Sequence, residues 1–198
     1  MEKGILYRIL RPGITFLVKV VFHPRIINKE YIPSSGSVVI ASNHTKIFDP
    51  VLILSCTKRT VHFLAKKELV DGPLGFGFKH MGIIPVNRKI KDKSVMPAAE
   101  KGLKSGKIIG IFPEGTTEKG RGLLPFKFGA VKMASSTDTE IVPCAISGKY
   151  IPFINRLTII FGKPYKVKIS EDLSLENEKL RNKIKDLISK GENYGKNK

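Results

Sequence analysis

Short, continuously apolar segments recur along the middle of this chain, and they constrain its fold more than any other feature. Five of them are rich in β-branched residues: 37–41 (SVVIA), 61–65 (VHFLA), 83–86 (IIPV), 108–112 (IIGIF) and 141–146 (IVPCAI). Segments of helical character lie between them, at about 50–57, 73–81, 92–105 and 127–136. Apolar strands alternating with helices are typical of a mostly parallel sheet buried on both faces. The sequence therefore predicts an α/β fold with helices on both faces of the sheet.

The C-terminal third adds two elements. Segment 157–167 (LTIIFGKPYKV) predicts a strand, a Gly turn and a second strand at an edge of the sheet. Segment 174–190 predicts an amphipathic helix whose apolar face carries Leu180, Ile184, Leu187 and Ile188. With 198 residues the chain accommodates one full-sized core. We expect an N-terminal segment at 1–32, an α/β domain at 33–190 and a flexible tail at 191–198.

The N-terminal segment is apolar but interrupted by cations. Pro12 and Gly13 predict a break between two short amphipathic helices within residues 4–22 (GILYRILRPGITFLVKVVF). The uncharged runs are shorter than the roughly 20 apolar residues that a spanning helix needs. Apolar faces with cationic flanks favour docking in the headgroup region of an anionic membrane. The alternative is a helical hairpin packed on its own domain.

The charge limits the classes of partner. The chain has 35 Lys and Arg against 17 Asp and Glu, a formal net charge of +18. Such a field attracts nucleic acid, anionic lipid or phosphorylated substrates. No RNA-binding signature, zinc finger or P-loop occurs, so we do not expect a nucleic-acid partner. Cys56 and Cys144 lie far apart without metal-ligand spacing, which predicts reduced thiols and no metal site.

A histidine and an acid follow the first apolar run, in NHTKIFDP at 43–50. His44 lies where ligands bind in open α/β sheets, beyond the carboxyl end of a strand. Asp49 precedes Pro50, a common way to begin a helix. Asp49 therefore either caps the next helix, or orients His44 as a general base, or does both.

Two further loops follow predicted strands. GIIPVNR, at 82–88, places Arg88 after its strand, and an arginine there suits bidentate recognition of phosphate. The alternative for Arg88 is a solvent-facing position. FPEGTTEKG, at 112–120, places Glu114 and Gly115 after another strand, where the glycine permits close approach of a ligand.

Together these segments resemble a known family. The four sequence blocks of the glycerolipid acyltransferases are similar, in order and spacing, to NHTKIFD, GIIPVNR, FPEGT and the Val142–Pro143 pair of this chain. The resemblance runs from about residue 36 to 148 and is strongest to bacterial members that act on lysophosphatidate. The N-terminal amphipathic segment also resembles the membrane-docking element of the bacterial enzymes.

The resemblance implies transfer of a fatty acyl chain from a thioester of acyl carrier protein or coenzyme A to the hydroxyl of lysophosphatidate, forming phosphatidate. His44 would be the general base and Asp49 its orienting partner, with no metal, cofactor or enzyme nucleophile required. The implied residues that bind the acceptor are Lys66, with Lys67 beside it as the alternative, Arg88, Glu114, Gly115 and Thr116. Backbone amides near Gly115, or around 142–144, would stabilise the oxyanion. The implied location is the cytoplasmic face of the cell membrane, as a peripheral or monotopic protein.

One position departs from the family pattern. Thr117 stands where the family usually has an arginine after FPEGT. Either Lys119 or Arg121 replaces that cation, or the acceptor differs, for example glycerol 3-phosphate or another lysophospholipid. A different class of function also stays open, namely a non-catalytic basic protein that binds membrane or nucleic acid.

Overall fold

A sheet of eight strands forms the centre of the computed structural model, which describes residues 5–66, 84–86, 94–117, 122–154, 157–168 and 172–196. The strands are β1 (Arg25–Ile27), β2 (Val38–Ser42), β3 (Val61–Lys66), β4 (Ile84–Val86), β5 (Ile108–Ile111), β6 (Glu140–Gly148), β7 (Leu157–Phe161) and β8 (Tyr165–Lys166). The helices are α1 (Ile5–Phe22), α2 (Asp49–Ser55), α3 (Val95–Lys104), α4 (Gly129–Ser136) and α5 (Ser174–Lys196), with a 3₁₀ turn at Lys29–Tyr31. The predicted helix at 73–81 lies outside the described residues.

The strand order is β1-β7-β6-β2-β5-β3-β4, with β8 paired to β6. Parallel pairing joins β1 to β7, β2 to β6, β2 to β5, β3 to β5 and β3 to β4. β6 pairs with β7 and with β8 in the antiparallel direction. The predicted mostly parallel α/β sheet is therefore confirmed. The expected edge position of the 157–161 strand is wrong, because β1 lies outside β7. A strand of three residues is too short to show a periodic pattern in the sequence.

Helices cover both faces of the sheet, as predicted. Val38 and Ile40 of β2 pack with Leu52 of α2 in one buried cluster. Val39 and Ala41, which alternate with them, pack in a second cluster with residues of α3, α4 and α5. Every residue of β2 is buried, as expected for a central strand with both faces covered.

The N-terminal segment forms one helix, so the predicted pair of short helices is wrong. α1 continues through Pro12 over 18 residues. An internal proline costs a helix about 3 kcal/mol. Val18 and Phe22 pack against the core cluster on the α2 face, and burying such side chains contributes about 1.5–3 kcal/mol each when complete. Packing against the domain therefore offsets the intrinsic break at Pro12.

Two expected boundaries also change. β1 belongs to the main sheet, so the α/β domain begins before residue 33. α5 continues to Lys196, so residues 191–196 are helical and not a flexible tail. Leu180 and Ile184 are fully buried on the predicted apolar face, and the additional turns extend the same helix.

Candidate active site

The candidate active site lies at the edge of the sheet where β2 and β5 both end. These strands are parallel neighbours in register, so the chain leaves both of them on the same side. Asn43 anchors the end of β2: its Nδ2 donates to the carbonyl of Ile146 and its Oδ1 accepts from the Ile146 N–H, both at 2.8 Å. This buried amide holds the backbone immediately before His44.

His44 and Asp49 form a hydrogen-bonded pair. The His44 Nδ1 to Asp49 Oδ2 distance is 2.9 Å. The Asp49 side chain is completely buried, whereas the His44 side chain is 16% exposed. Because Nδ1 faces the carboxylate, Nε2 is the ring nitrogen that remains to accept a proton from a substrate.

The Asp49 carboxylate organises the loop before it. Oδ2 accepts from His44 and from the backbone N–H groups of Thr45 and Lys46, and Oδ1 accepts from the hydroxyls of Thr45 and Tyr150. Burial raises the pKa of Asp49, but its hydrogen bonds to His44, Tyr150, Lys46 and Thr45 outweigh that effect and lower the pKa below the usual 3.8. Asp49 is the first residue of α2 and its carboxylate points back to residues 44–46, so it is an ionised orienting group rather than a cap.

Tyr150 is a partner of the pair that the sequence did not reveal. Its hydroxyl donates to Asp49 Oδ1 over 2.6 Å, across 101 positions of sequence. Burial, the nearby Asp49 charge and this hydrogen bond raise the pKa of Tyr150, so the phenol stays protonated and donates. A contact between such distant residues leaves no local pattern in the sequence.

Glu114 connects the FPEGT loop to the histidine. Its Oε1 accepts the backbone N–H of His44 at 2.9 Å, and its Oε2 accepts the N–H of Leu124 at 3.1 Å. The structure thus brings Glu114 beside His44, as the strand ends predict. In the structure the carboxylate holds backbone segments together, and its predicted contact with the acceptor stays a prediction.

Aromatic rings fix the plane of the imidazole. The ring of Phe112, in the FPEGT block, stacks on His44 with centroids 4.0 Å apart and an interplanar angle of 14°. Phe63 of β3 stacks behind Phe112 at 5.5 Å. One face of the imidazole is therefore covered, which limits the directions from which a hydroxyl reaches Nε2.

Lys127 brings a cation over the FPEGT loop. Gly115 has φ +73°, and a Cβ at that position would lie 2.9 Å from the Lys127 Nζ. The Lys127 N–H donates to the Pro113 carbonyl at 2.9 Å, which ties its segment to the same loop. Glycine is thus favoured at this position by its backbone conformation, and the flexible Lys127 side chain extends over it. No local sequence pattern indicates Lys127, because only the folded chain brings it to Gly115.

Of the remaining predicted residues, the structure describes Lys66 and Thr116. Arg88, Lys119 and Arg121 lie outside the described residues. Lys66 is the last residue of β3, on the carboxyl edge of the sheet, and Thr116 follows Gly115 in the FPEGT loop.

The amides of residues 142–144 and of Gly115 itself are engaged elsewhere, while the other amides near Gly115 stay a predicted source of oxyanion donors. Residues 142–144 lie inside β6, paired with β2 on one side, so the expectation that their amides serve the oxyanion is wrong. The Gly115 N–H donates to the Phe112 carbonyl at 3.0 Å. A strand in the centre of a sheet uses its amides in the ladder.

The two thiols do not provide a nucleophile. Burial raises the pKa of Cys56 to about 12 and raises that of Cys144 well above its usual value of 9.0. A protonated, buried thiol is inert as a nucleophile. Neither cysteine is therefore a candidate nucleophile.

A basic cavity of about 660 Å³ lies elsewhere, at the amino ends of β3 and β5. It is lined in part by Arg11, Lys58, Arg59 and Lys107. The Arg59 guanidinium donates to the carbonyls of Pro33, Gly36 and Gly106, so it closes loops at that edge. The cavity is thus separate from the His44 site, which occupies the carboxyl edge.

An imidazole oriented by a buried, ionised carboxylate at the carboxyl edge of an α/β sheet is an arrangement suited to general-base chemistry, as enzymes use it. A family model described as Acyltransferase matches residues 23–147, well over half of the chain. The chain therefore belongs to the acyltransferase family.

Known proteins agree with this assignment. The 1-acyl-sn-glycerol-3-phosphate acyltransferase of Bacillus subtilis is 31% identical over 178 residues, covering 84% of this chain and 88% of the relative. The protein of the same name from Borreliella burgdorferi is 31% identical over 175 residues, covering 83% of this chain and 70% of the relative. The crystal structure of PlsC, the 1-acyl-sn-glycerophosphate acyltransferase of Thermotoga maritima, superposes with a TM-score of 0.71 at 17% identity and covers 91% of this chain and 79% of that one. That structure supports the fold.

Proposed function

We propose that this protein transfers a fatty acyl group from an acyl thioester to the free hydroxyl of lysophosphatidate, forming phosphatidate. The observation that carries the proposal is the 2.9 Å contact between His44 Nδ1 and the buried carboxylate of Asp49. Membership of the acyltransferase family and the names of the relatives support the reaction and the acceptor.

In the proposed reaction His44 Nε2 takes the proton of the acceptor hydroxyl while the hydroxyl oxygen attacks the thioester carbonyl. Asp49 stabilises the imidazolium that forms. The tetrahedral intermediate collapses with breakage of the C–S bond, and the imidazolium returns the proton to the leaving thiolate. The products are the new ester and a free thiol. The acyl group passes directly between substrates, consistent with the inert thiols of this chain.

The acceptor phosphate requires cations beside this site. Arg88 and Lys66 are the cations that the resemblance implies. Lys127 supports the phosphate site independently, because its Nζ lies over Gly115 in the loop whose Glu114 holds the His44 backbone. It offers a positive charge near the position where Thr117 replaces the usual arginine.

Membrane attachment through α1 is part of the proposal, with the anionic cytoplasmic surface as partner. Within the described part of the chain, no helix combines the length and the apolar character that crossing a bilayer requires. Phe16 and Leu17 of α1 are 70% and 59% exposed, and Lys19 beside them is also exposed. Apolar side chains with a neighbouring cation suit the headgroup region.

A panel of acceptors tests the function. The wild-type protein is incubated with lysophosphatidate, glycerol 3-phosphate or lysophosphatidylethanolamine, each with an acyl carrier protein thioester and a coenzyme A thioester in separate reactions. We expect the diacyl product from lysophosphatidate with at least one donor. Transfer to glycerol 3-phosphate in preference to lysophosphatidate would contradict the proposed acceptor, and the donor that reacts identifies the thioester.

The α1 attachment has its own test. Val18 and Phe22 belong to the core, so deleting the helix would also damage the domain. The double variant Phe16→Gln, Leu17→Gln changes only exposed side chains and should weaken sedimentation with anionic vesicles. Unchanged sedimentation at matched stability would contradict attachment through α1.

A further inference from the structure

Phe153 combines two unfavourable features that the packing of the domain does not explain. Its backbone has φ +60°, in the left-handed region, and its side chain is 73% exposed. The other described non-glycine residues with positive φ are His23, Asn28 and Asp138, which are the types that tolerate this region. A bulky aromatic residue there is a genuine outlier, and such strain persists where a function requires it.

Other exposed apolar side chains lie beside Phe153 in sequence and in the 44–49 loop, which Tyr150 contacts. Ile154, next to it, is 46% exposed, and Ile47 and Phe48, in the loop between His44 and Asp49, are 63% and 57% exposed. We call Ile47, Phe48, Phe153 and Ile154 the loop patch. Tyr150 joins the two loops, because its ring lies 6.4 Å from that of Phe48 while it belongs to the same loop as Phe153.

The loop patch is continuous with α1. The Phe153 N–H donates to the Val21 carbonyl, and the Tyr150 ring packs edge-on against Phe22 with centroids 5.4 Å apart. Phe16, Leu17 and Val20 are exposed on α1, and Val20 directly precedes Val21, whose carbonyl accepts the Phe153 N–H. The apolar surface thus extends from the helix to the loop that contains the His44–Asp49 pair.

The charges beside the patch indicate what covers it. Lys46 precedes Ile47, Lys149 opens the loop of Phe153, and Lys19 lies on α1; all three side chains are exposed. Segments 46–48 and 149–154 contain no acidic residue. Apolar side chains flanked by lysines match the surface of an anionic bilayer, where the chains enter the acyl boundary and the ammonium groups meet phosphate.

We propose that the loop patch inserts into the surface of an anionic membrane and places the His44–Asp49 pair directly against the lipid. This inference rests on the proposed function and adds a second membrane contact beyond α1. Because Ile47 and Phe48 lie within the loop that joins His44 to Asp49, their insertion brings Nε2 to the level of the lipid headgroups. An acceptor embedded in the bilayer then reaches the base without leaving the membrane.

Vesicle sedimentation of full-length variants tests the proposal. Phe153→Asn removes the apolar ring but keeps a residue that tolerates positive φ, and Ile47→Asn tests the other loop. Leu175→Asn is the matched control, because Leu175 is 75% exposed on α5, which packs on the opposite face of the sheet from α1. Binding is measured to phosphatidylcholine vesicles with and without phosphatidylglycerol.

We expect Phe153→Asn to lower partitioning onto the anionic vesicles roughly tenfold, as loss of one buried aromatic side chain implies. Leu175→Asn should bind like wild type. The thermal midpoint of Phe153→Asn should stay equal or rise, because asparagine relieves the strain. Wild-type partitioning of Phe153→Asn, or an equal loss in Leu175→Asn, would overturn the proposal. A changed mass in solution with unchanged vesicle binding would instead assign the patch to a protein contact.

Activity on a dissolved acceptor separates this proposal from the proposed function. With a short-chain lysophosphatidate below its micelle concentration, Phe153→Asn should react at the wild-type rate, since no membrane is needed. If the wild-type protein transfers no acyl group to any acceptor, the proposed function fails while the vesicle measurement still decides the docking surface.

Discussion

Asp49→Asn isolates the charge of the orienting group, because the pocket accommodates an amide. The two backbone N–H donors, from Thr45 and Lys46, and His44 Nδ1 all meet Oδ2, whereas Oδ1 meets only hydroxyls, those of Thr45 and Tyr150. Hydroxyls rotate to accept as well as donate, so the amide nitrogen belongs at the Oδ1 position and the amide oxygen at Oδ2. His44 then keeps the same tautomer and orientation, and only the negative charge is lost.

The magnitude follows from the separation of the charges. Unit charges about 4 Å apart interact by about 4 kcal/mol at an effective dielectric constant near 20. If most of this energy stabilises the imidazolium in the transition state, kcat/KM falls between about 10²- and 10³-fold. Release of free thiol from the acyl thioester, measured with a chromogenic thiol reagent, gives the rate.

Two measurements of stability separate loss of the Asp49 charge from damage to the fold. Circular dichroism should show a thermal midpoint close to that of the wild type, because the amide oxygen accepts from the backbone N–H groups and His44, and the amide nitrogen donates to the two rotated hydroxyls. Asp49→Ala, which leaves those donors buried without a partner, should be destabilised by several kcal/mol, roughly 1–3 kcal/mol for each unsatisfied group. Asp49→Asn activity within about threefold of wild type would refute the role assigned to the Asp49 charge.

Three further substitutions test the surroundings of the pair. Tyr150→Phe removes one of the hydrogen bonds that lower the pKa of Asp49, so that pKa should move back toward 3.8. A carboxyl group whose pKa is lowered in the folded state stabilises the protein above its unfolded-state pKa, and this stability is lost as the pH falls through the folded-state pKa. Acid unfolding of Tyr150→Phe, followed by circular dichroism, should therefore begin at a higher pH than in wild type. An unchanged acid midpoint would contradict this. Asn43→Ala leaves the buried N–H and carbonyl of Ile146 unpaired, so it should lower the free energy of unfolding, measured by urea titration, by about 2–4 kcal/mol. A loss of less than about 0.5 kcal/mol would contradict this. Lys127→Met should raise the KM for lysophosphatidate about tenfold or more with a smaller effect on kcat, and an unchanged KM would remove Lys127 from the phosphate site.

The parts of the fold that the sequence predicted are those with a strong local signal. Buried strands such as β2 and β5 are short apolar runs, and the apolar face of α5 repeats with the helical period. The resemblance to the acyltransferases, which is confirmed, came from four blocks, two of which, NHTKIFD and FPEGT, follow those strands. The rules for parallel sheets then placed His44 and Glu114 at one edge.

What the sequence did not predict depends on tertiary contacts. α1 continues through Pro12 because its far end packs against the domain, and propensity alone favoured a break. Tyr150 and Lys127 reach the site only when β6 and the 122–127 segment are folded against the strand ends. The roles of Arg88 and Lys66 in binding phosphate stay predictions.

The direct measurement of the central claim is a parallel assay of wild type and His44→Ala for thioester-dependent formation of phosphatidate from lysophosphatidate. The His44 side chain is only 16% exposed but ends at the accessible edge of the sheet, so its removal should leave the fold and vesicle binding intact. The account predicts product with wild type and a loss of at least about 10²-fold with His44→Ala. Turnover by His44→Ala at a rate close to that of wild type would contradict it.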